Sequence, residues 1–271
     1  MKSNIRENMF RIWYWYVNRV DKNAEILFMN FGFSDPDHDT PLDKENEPNR
    51  YSIQLYHHLA IEAEIENKDI VEIGCGRGGG LSYITKNLLP ASAIGVDLDK
   101  LAVAFSNRHY GLDSLTFLQG NAQSLSLGDN SCDIVINVES SHRYLDMKAF
   151  LGEVNRILQP GGYFLFTDFR FDYDFEGMKK DLQSSGLTLL KERFINREVL
   201  KALELDDERK RQLVKKLIPK YLHKIALNFG GTIGSETYNR FESKKYIYFS
   251  YVLRKESVYG FSKTWIPARL N

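Results

Sequence analysis

The residues with the clearest chemical use stand at the ends of short apolar runs. Asp69-Ile70-Val71-Glu72-Ile73 leads directly into glycines at 74, 76, 78, 79 and 80, and a helical pattern follows. Glycine lets a backbone turn tightly and approach a ligand, and a helix start offers free N–H groups, so this loop suits a nucleotide-type cofactor. Gly74, Cys75 and Gly76 are its expected contacts, and Glu72 is placed to accept a hydrogen bond from water or from a ligand amino group. The next apolar run ends in Asp97, where a carboxylate can accept hydrogen bonds from two ribose hydroxyls. Leu98 beside it is expected against a base ring or in ordinary packing, while Asp99 reads as the cap of the following helix. After the third run, Asn121 and Ala122 lie within Gln119-Gly120-Asn121-Ala122-Gln123 and offer an amide and backbone groups to the edge of a base.

The fourth run, Cys132 to Ser140, passes through Asn137, which is assigned to the cofactor side, and exits into Ser141-His142-Arg143-Tyr144. A histidine titrates near neutrality, so His142 can take a proton from a hydroxyl as that oxygen attacks. Asp168, at the end of the fifth run, is expected to orient or charge-stabilise it. The plainer alternatives are a surface histidine and a capping aspartate. His57 and His58 lack partners at metal-ligand spacing, and no metal site is expected.

These residues need a parallel sheet to bring their strand ends together. Residues 68–170 alternate strand-like and helix-like text, the pattern of a doubly wound α/β fold with crossover helices. LQPGG at 158–162 reads as a turn before the fifth strand. LTLLKERFI and YIYFSYVL read as two late strands that complete a mostly parallel, seven-stranded sheet, separated by a long charged helix from about residue 196 to 224. Three regions are expected: an N-terminal helical and aromatic cap at 1–60, the main domain at 61–256 with an insertion near 196–240, and a tail at 257–271. Trp13 to Tyr16, Tyr51 and Tyr56 are expected chiefly in the core, with a lid over the cofactor as the alternative. Leu203, Leu213 and Leu217 are candidates for the border of the acceptor cleft.

Composition narrows the partners. The 36 basic and 36 acidic side chains cancel, so overall charge does not call for nucleic acid or an anionic surface. Two cysteines, Cys75 and Cys132, make no disulfide framework, and a cytoplasmic setting is expected. No run approaches the roughly 18 apolar residues of a membrane span, and the start lacks a signal-peptide pattern. A small apolar molecule is the expected partner, and a homodimer stays open.

Taken in order, EIGCGRGGG, VD, GNA and LQPGG resemble the class I methyltransferases. EPNRYSIQLYHHLA, NVESSH and IPKYL are similar to the phthiotriol and phenolphthiotriol dimycocerosates methyltransferases, a likeness running from about residue 10 to 254. The resemblance implies S-adenosyl-L-methionine as cofactor and O-methylation of a lipid or polyketide hydroxyl. O-methyltransferases of sugars and polyketides resemble the chain at Glu139-Ser140-Ser141-His142 and at Asp168. Sterol and tocopherol C-methyltransferases resemble it at Glu139, which implies an alternative in which Glu139 stabilises a cationic carbon. A nicotinamide oxidoreductase is a remoter alternative. Asn121 stands where the family carries an acid, and Ser257 to Asn271 match nothing in it.

Overall fold

The computed structural model describes residues 19, 21, 24–36 and 40–256, so Trp13 to Tyr16 and the tail from Ser257 lie outside the described residues. Seven strands form one sheet: β1 Asp69–Ile73, β2 Ser92–Asp97, β3 Leu115–Gln119, β4 Cys132–Val138, β5 Leu158–Phe171, β6 Leu187–Phe194 and β7 Tyr246–Lys255. Their order is β3-β2-β1-β4-β5-β7-β6, with β1 to β5 parallel and β7 antiparallel to both its neighbours. β1 and β4 sit in the middle, covered on both faces, and so read as near-continuous apolar text.

Helices cover both faces. α1 Arg50–Ala60, α2 Gly79–Leu88 and α3 Lys100–His109 contribute Ile53, Leu81 and Val103 to one core cluster. α4 Met147–Ile157 and α5 Asp172–Gln183 contribute Phe150, Val154 and Met178 to the other. α4 shows why its sequence is helical. Asp146 caps it by accepting from Ala149 N at 3.0 Å, and Phe150, Leu151, Val154 and Ile157 form one buried stripe. Asp99 caps α3 in the same way, as its sequence suggests.

Two expectations change. LQPGG is no free turn: pairing moves from Cys132–Leu158 to Ile134–Tyr163, two steps on β4 against five on β5, so the segment is a bulge inside β5 with Gly161 at φ +86°. The long charged helix is broken into α6 Asn196–Leu205, α7 Asp207–Leu217 and α8 His223–Phe229, followed by α9 Glu236–Glu242. Asp206 makes the first break, where it holds Arg209 through both carboxylate oxygens at 2.6 and 2.7 Å, and Pro219 follows the end of α7. These helices lie between β6 and β7 in the chain. With residues 25–31 they stand over the carboxyl ends of the parallel strands, where open α/β sheets bind ligands.

Candidate active site

The glycine loop closes on the end of β2. Gly74 N and Cys75 N donate to Val96 O at 2.7 and 3.2 Å, and Gly76 N donates to Asp97 Oδ2 at 2.8 Å. Asp97 Oδ1 accepts from Asp99 N at 2.8 Å, and burial raises the pKa of this carboxyl. The Cys75 side chain turns into the core and is 5% exposed. At Gly80 the backbone meets an aromatic ring so closely that a Cβ would lie 2.0 Å from Tyr56. Tyr56 in turn donates to Glu72 Oε1 at 2.7 Å. Glu72 is thus buried under α1, and burial pushes its carboxyl up to about 7. Leu98 is 65% exposed, which removes the packing role considered for it. Asn121 is exposed, with Oδ1 accepting from Gln123 N, and Ala122 is half-buried beside it. Asn137 is fully buried; its amide donates to Ile73 O and Ser140 Oγ, both at 2.7 Å.

At the ends of β4 and β5, His142 and Asp168 meet. His142 Nδ1 lies 2.7 Å from Asp168 Oδ1. Asp168 also accepts from His142 N at 3.0 Å and Ser141 Oγ at 2.6 Å, and Arg170 pairs with it at 3.1 Å. Burial alone would raise the Asp168 carboxyl, but His142 and Arg170 beside it hold it well below the usual carboxylate range. Burial pushes His142 down to about 4, so the ring is neutral near pH 7. His142 Nε2 takes a hydrogen bond from Arg143 Nε at 3.2 Å.

Glu139 leaves β4 at φ +46° and is fixed from two sides: Phe31 N and Tyr248 OH donate to Oε1 at 2.7 and 2.5 Å. Burial raises its carboxyl to about 8. Glu139, His142, Arg143 and Phe169 line a cavity of about 170 Å³. Residues 25–31 form one wall through Ile26, Phe28, Met29 and Phe31, and α7 and α8 form another through Leu213, Val214, Ala226 and Phe229. Leu213 therefore borders the cleft as its sequence suggests, whereas Leu203 lies in the core. Lys210 also lines the cavity; burial lowers its pKa. His57 contacts Tyr83 OH at 3.0 Å and His58 stacks on Phe33; neither reaches the cavity.

Residues 71–166 match the methyltransferase domain family. The chain is also 36% identical to the phthiotriol/phenolphthiotriol dimycocerosates methyltransferase of Mycobacterium tuberculosis over 251 residues, 92% of this chain and 93% of that protein. The chain belongs to this methyltransferase family. The methyltransferase is similar as well to the fatty-acid O-methyltransferase of Mycolicibacterium smegmatis, at 38% identity over 231 residues, 85% of this chain and 84% of the other. Its fold is shared with geranyl diphosphate C-methyltransferase from Streptomyces coelicolor A3(2), with a TM-score of 0.63 at 14% identity, covering 88% of this chain and 91% of that one. S-adenosyl-L-methionine is the cofactor of the methyltransferase, and the nicotinamide alternative is set aside.

The residues present fit that cofactor. Glu72 Oε2 and Asn137 Oδ1 are buried acceptors with no hydrogen-bond partner among the described residues, so each is left to accept from a ligand or a water. Open space lies beside Gly76, where a Cβ would meet nothing within 4 Å. Several structural partners were not visible in the sequence: Tyr56 for Glu72, Tyr248 and Phe31 for Glu139, and Arg143 for His142. No helix among the described residues is long and apolar enough to cross a membrane.

Proposed function

We propose that the methyltransferase methylates the oxygen of a hydroxyl on an apolar lipid or polyketide-like molecule, with His142 as general base. The observation that carries this reading is the His142–Asp168 contact at the wall of an apolar cavity. With Nδ1–H donated to Asp168, Nε2 keeps its lone pair on the side where Arg143 now donates. An acceptor hydroxyl displaces that contact, gives its proton to Nε2, and leaves an imidazolium held by the Asp168 carboxylate. Asp97, Glu72, the Gly74–Gly76 backbone, Asn137 and the Leu98 and Asn121-Ala122 turns hold the cofactor. When bound, S-adenosyl-L-methionine supplies an activated methyl group on a sulfonium, so the chain itself need only align the acceptor and take its proton. The relatives' names, one an O-methyltransferase of fatty acids and the other acting on dimycocerosates, support a lipid acceptor.

Carbon methylation through Glu139 is less well served. A carboxyl raised to about 8 is largely protonated at neutral pH, and it already accepts two hydrogen bonds. Incubating the enzyme with S-adenosyl-L-methionine and hydroxylated lipid extracts, followed by mass spectrometry, tests the proposal. The expected product gains one methyl group on oxygen; a product methylated only on carbon would overturn it.

A further inference from the structure

Although the chain is neutral overall, its charge is unevenly spread. Residues 209–235 hold seven Lys and Arg and no Asp or Glu, so this stretch sets up a local positive field. Four of these cations are engaged elsewhere. Arg209 is held by Asp206, Arg211 by Asp207 and Lys216 by Glu25, while Lys210 turns inward toward Phe31 O and Asp206. Lys215, Lys220 and Lys224 are exposed and make no ion pair among the described residues. Between and beside them in the chain, where α7 gives way to α8, stand Tyr221, 82% exposed, and Ile225, 38% exposed. The other sides of α7 and α8 supply Leu213, Val214, Ala226 and Phe229 to the acceptor cavity.

Lysines alone would be a solvated face. Interleaved with an exposed tyrosine and an isoleucine they match an anionic bilayer, whose headgroups attract the ammonium groups while the aromatic body settles at headgroup depth. A nucleic acid would use the lysines but give no purpose to the apolar cavity behind them. We propose that the α7–α8 junction docks the methyltransferase on an anionic lipid bilayer, so that a membrane-dissolved acceptor enters the cavity between the same two helices. The docking stands by itself; only the identity of the entering molecule rests on the acceptor reading above.

Flotation of the full chain with vesicles of phosphatidylglycerol and phosphatidylcholine, against phosphatidylcholine alone, tests it. Wild type is expected to float with the anionic vesicles only and to be released by salt. Lys215→Gln, Lys220→Gln and Lys224→Gln together are expected to weaken partition about a hundredfold, at roughly 1 kcal/mol per lysine. The same change at Lys44, Lys180 and Lys245 is expected to leave partition unaltered, and Tyr221→Ala to weaken it. Equal flotation of wild type and the junction variant, no flotation at all, or equally tight binding to a DNA duplex at the same salt would overturn the proposal. Transfer to a short-chain, micelle-free hydroxylated acceptor is measured in parallel and should not differ between wild type and the junction variant. Absence of that activity in both, with wild type still floating on anionic vesicles and the junction variant not, would count against the acceptor reading and leave the docking standing.

Discussion

Asp168 Oδ1 lies 2.7 Å from His142 Nδ1, and the neighbouring places of β4 and β5 in the sheet bring the two together across 26 residues of chain. The contact fixes the ring through one nitrogen and leaves the other, Nε2, facing Arg143 Nε. The same carboxylate also anchors the His142 backbone N–H, so it positions the loop as well as the ring.

If His142 is the base, its removal should spare the cofactor site. His142→Ala is expected to lower kcat by ~100- to 10,000-fold, the usual range for a general base, with cofactor affinity unchanged in calorimetry. Unchanged turnover on a hydroxylated acceptor would remove His142 from the reaction.

Asp168→Asn is expected to damage both folding and turnover. Arg170 would lose its buried carboxylate partner, and breaking such a pair costs about 3–5 kcal/mol. Chemical denaturation measures that loss. A variant as stable as wild type would show that Arg170 finds another partner.

The pH profile distinguishes a buried His142 from an exposed one. Burial puts its pKa at about 4, below the ordinary value near 6.5. The acid limb of kcat/KM for the free enzyme should therefore fall near pH 4, with a plateau through pH 6 to 7. Stability has a matching sign: the unfolded ring binds its proton between pH 6.5 and 4 while the folded ring does not, so this group destabilises the fold as pH falls through that window. An acid limb centred near 6.5 would mean that the ring is solvated during turnover.

Much of this site was legible because strand ends are legible. DIVEI before the glycines, Asp97 after AIGV, and Asp168 after YFLFT are local patterns, and a parallel sheet brings successive strand ends to one edge. The α/β fold, the Asp99 cap and the place of Leu213 at the cleft follow from such patterns. The rest depends on contacts without a period. Nothing in Tyr56-His57-His58 announces that the tyrosine, rather than a histidine, serves Glu72. Phe31 and Tyr248 reach Glu139 across more than a hundred residues of chain. LQPGG shows the limit from the other side: its Pro-Gly-Gly text is turn-like, yet pairing on both sides of it absorbs the turn as a bulge.

Gly80 tests the contact between α1 and the glycine loop. A methyl group there would meet the Tyr56 ring, so Gly80→Ala must displace Tyr56 and with it the hydrogen bond to Glu72. Overpacking of this kind costs about 1–3 kcal/mol. Weaker cofactor binding is expected along with the lower denaturation midpoint, because Glu72 is left without its donor. A variant with wild-type stability and affinity would show that the ring has room to move.

Glu139 gives the last test, because its two candidate roles predict opposite results. Burial raises its folded pKa to about 8, above the ordinary carboxyl value of 4.5, while the Tyr248 and Phe31 hydrogen bonds only partly oppose that shift. Between those values the unfolded chain has released the proton and the folded chain keeps it, so this group's contribution to stability declines as pH rises from about 4.5 to 8. Glu139→Gln keeps an oxygen for both donors and cannot ionise. It is therefore expected to match wild type near pH 5 and to be the more stable of the two at pH 8, as thermal melts at the two pH values would show. Turnover on a hydroxylated acceptor should survive, since the oxygen that Phe31 and Tyr248 bind is still there to hold the 25–31 wall of the cavity. Lost turnover with the wall intact, while His142→Ala stays active, would move the chemistry from oxygen to carbon and make Glu139 the group that faces a developing cation.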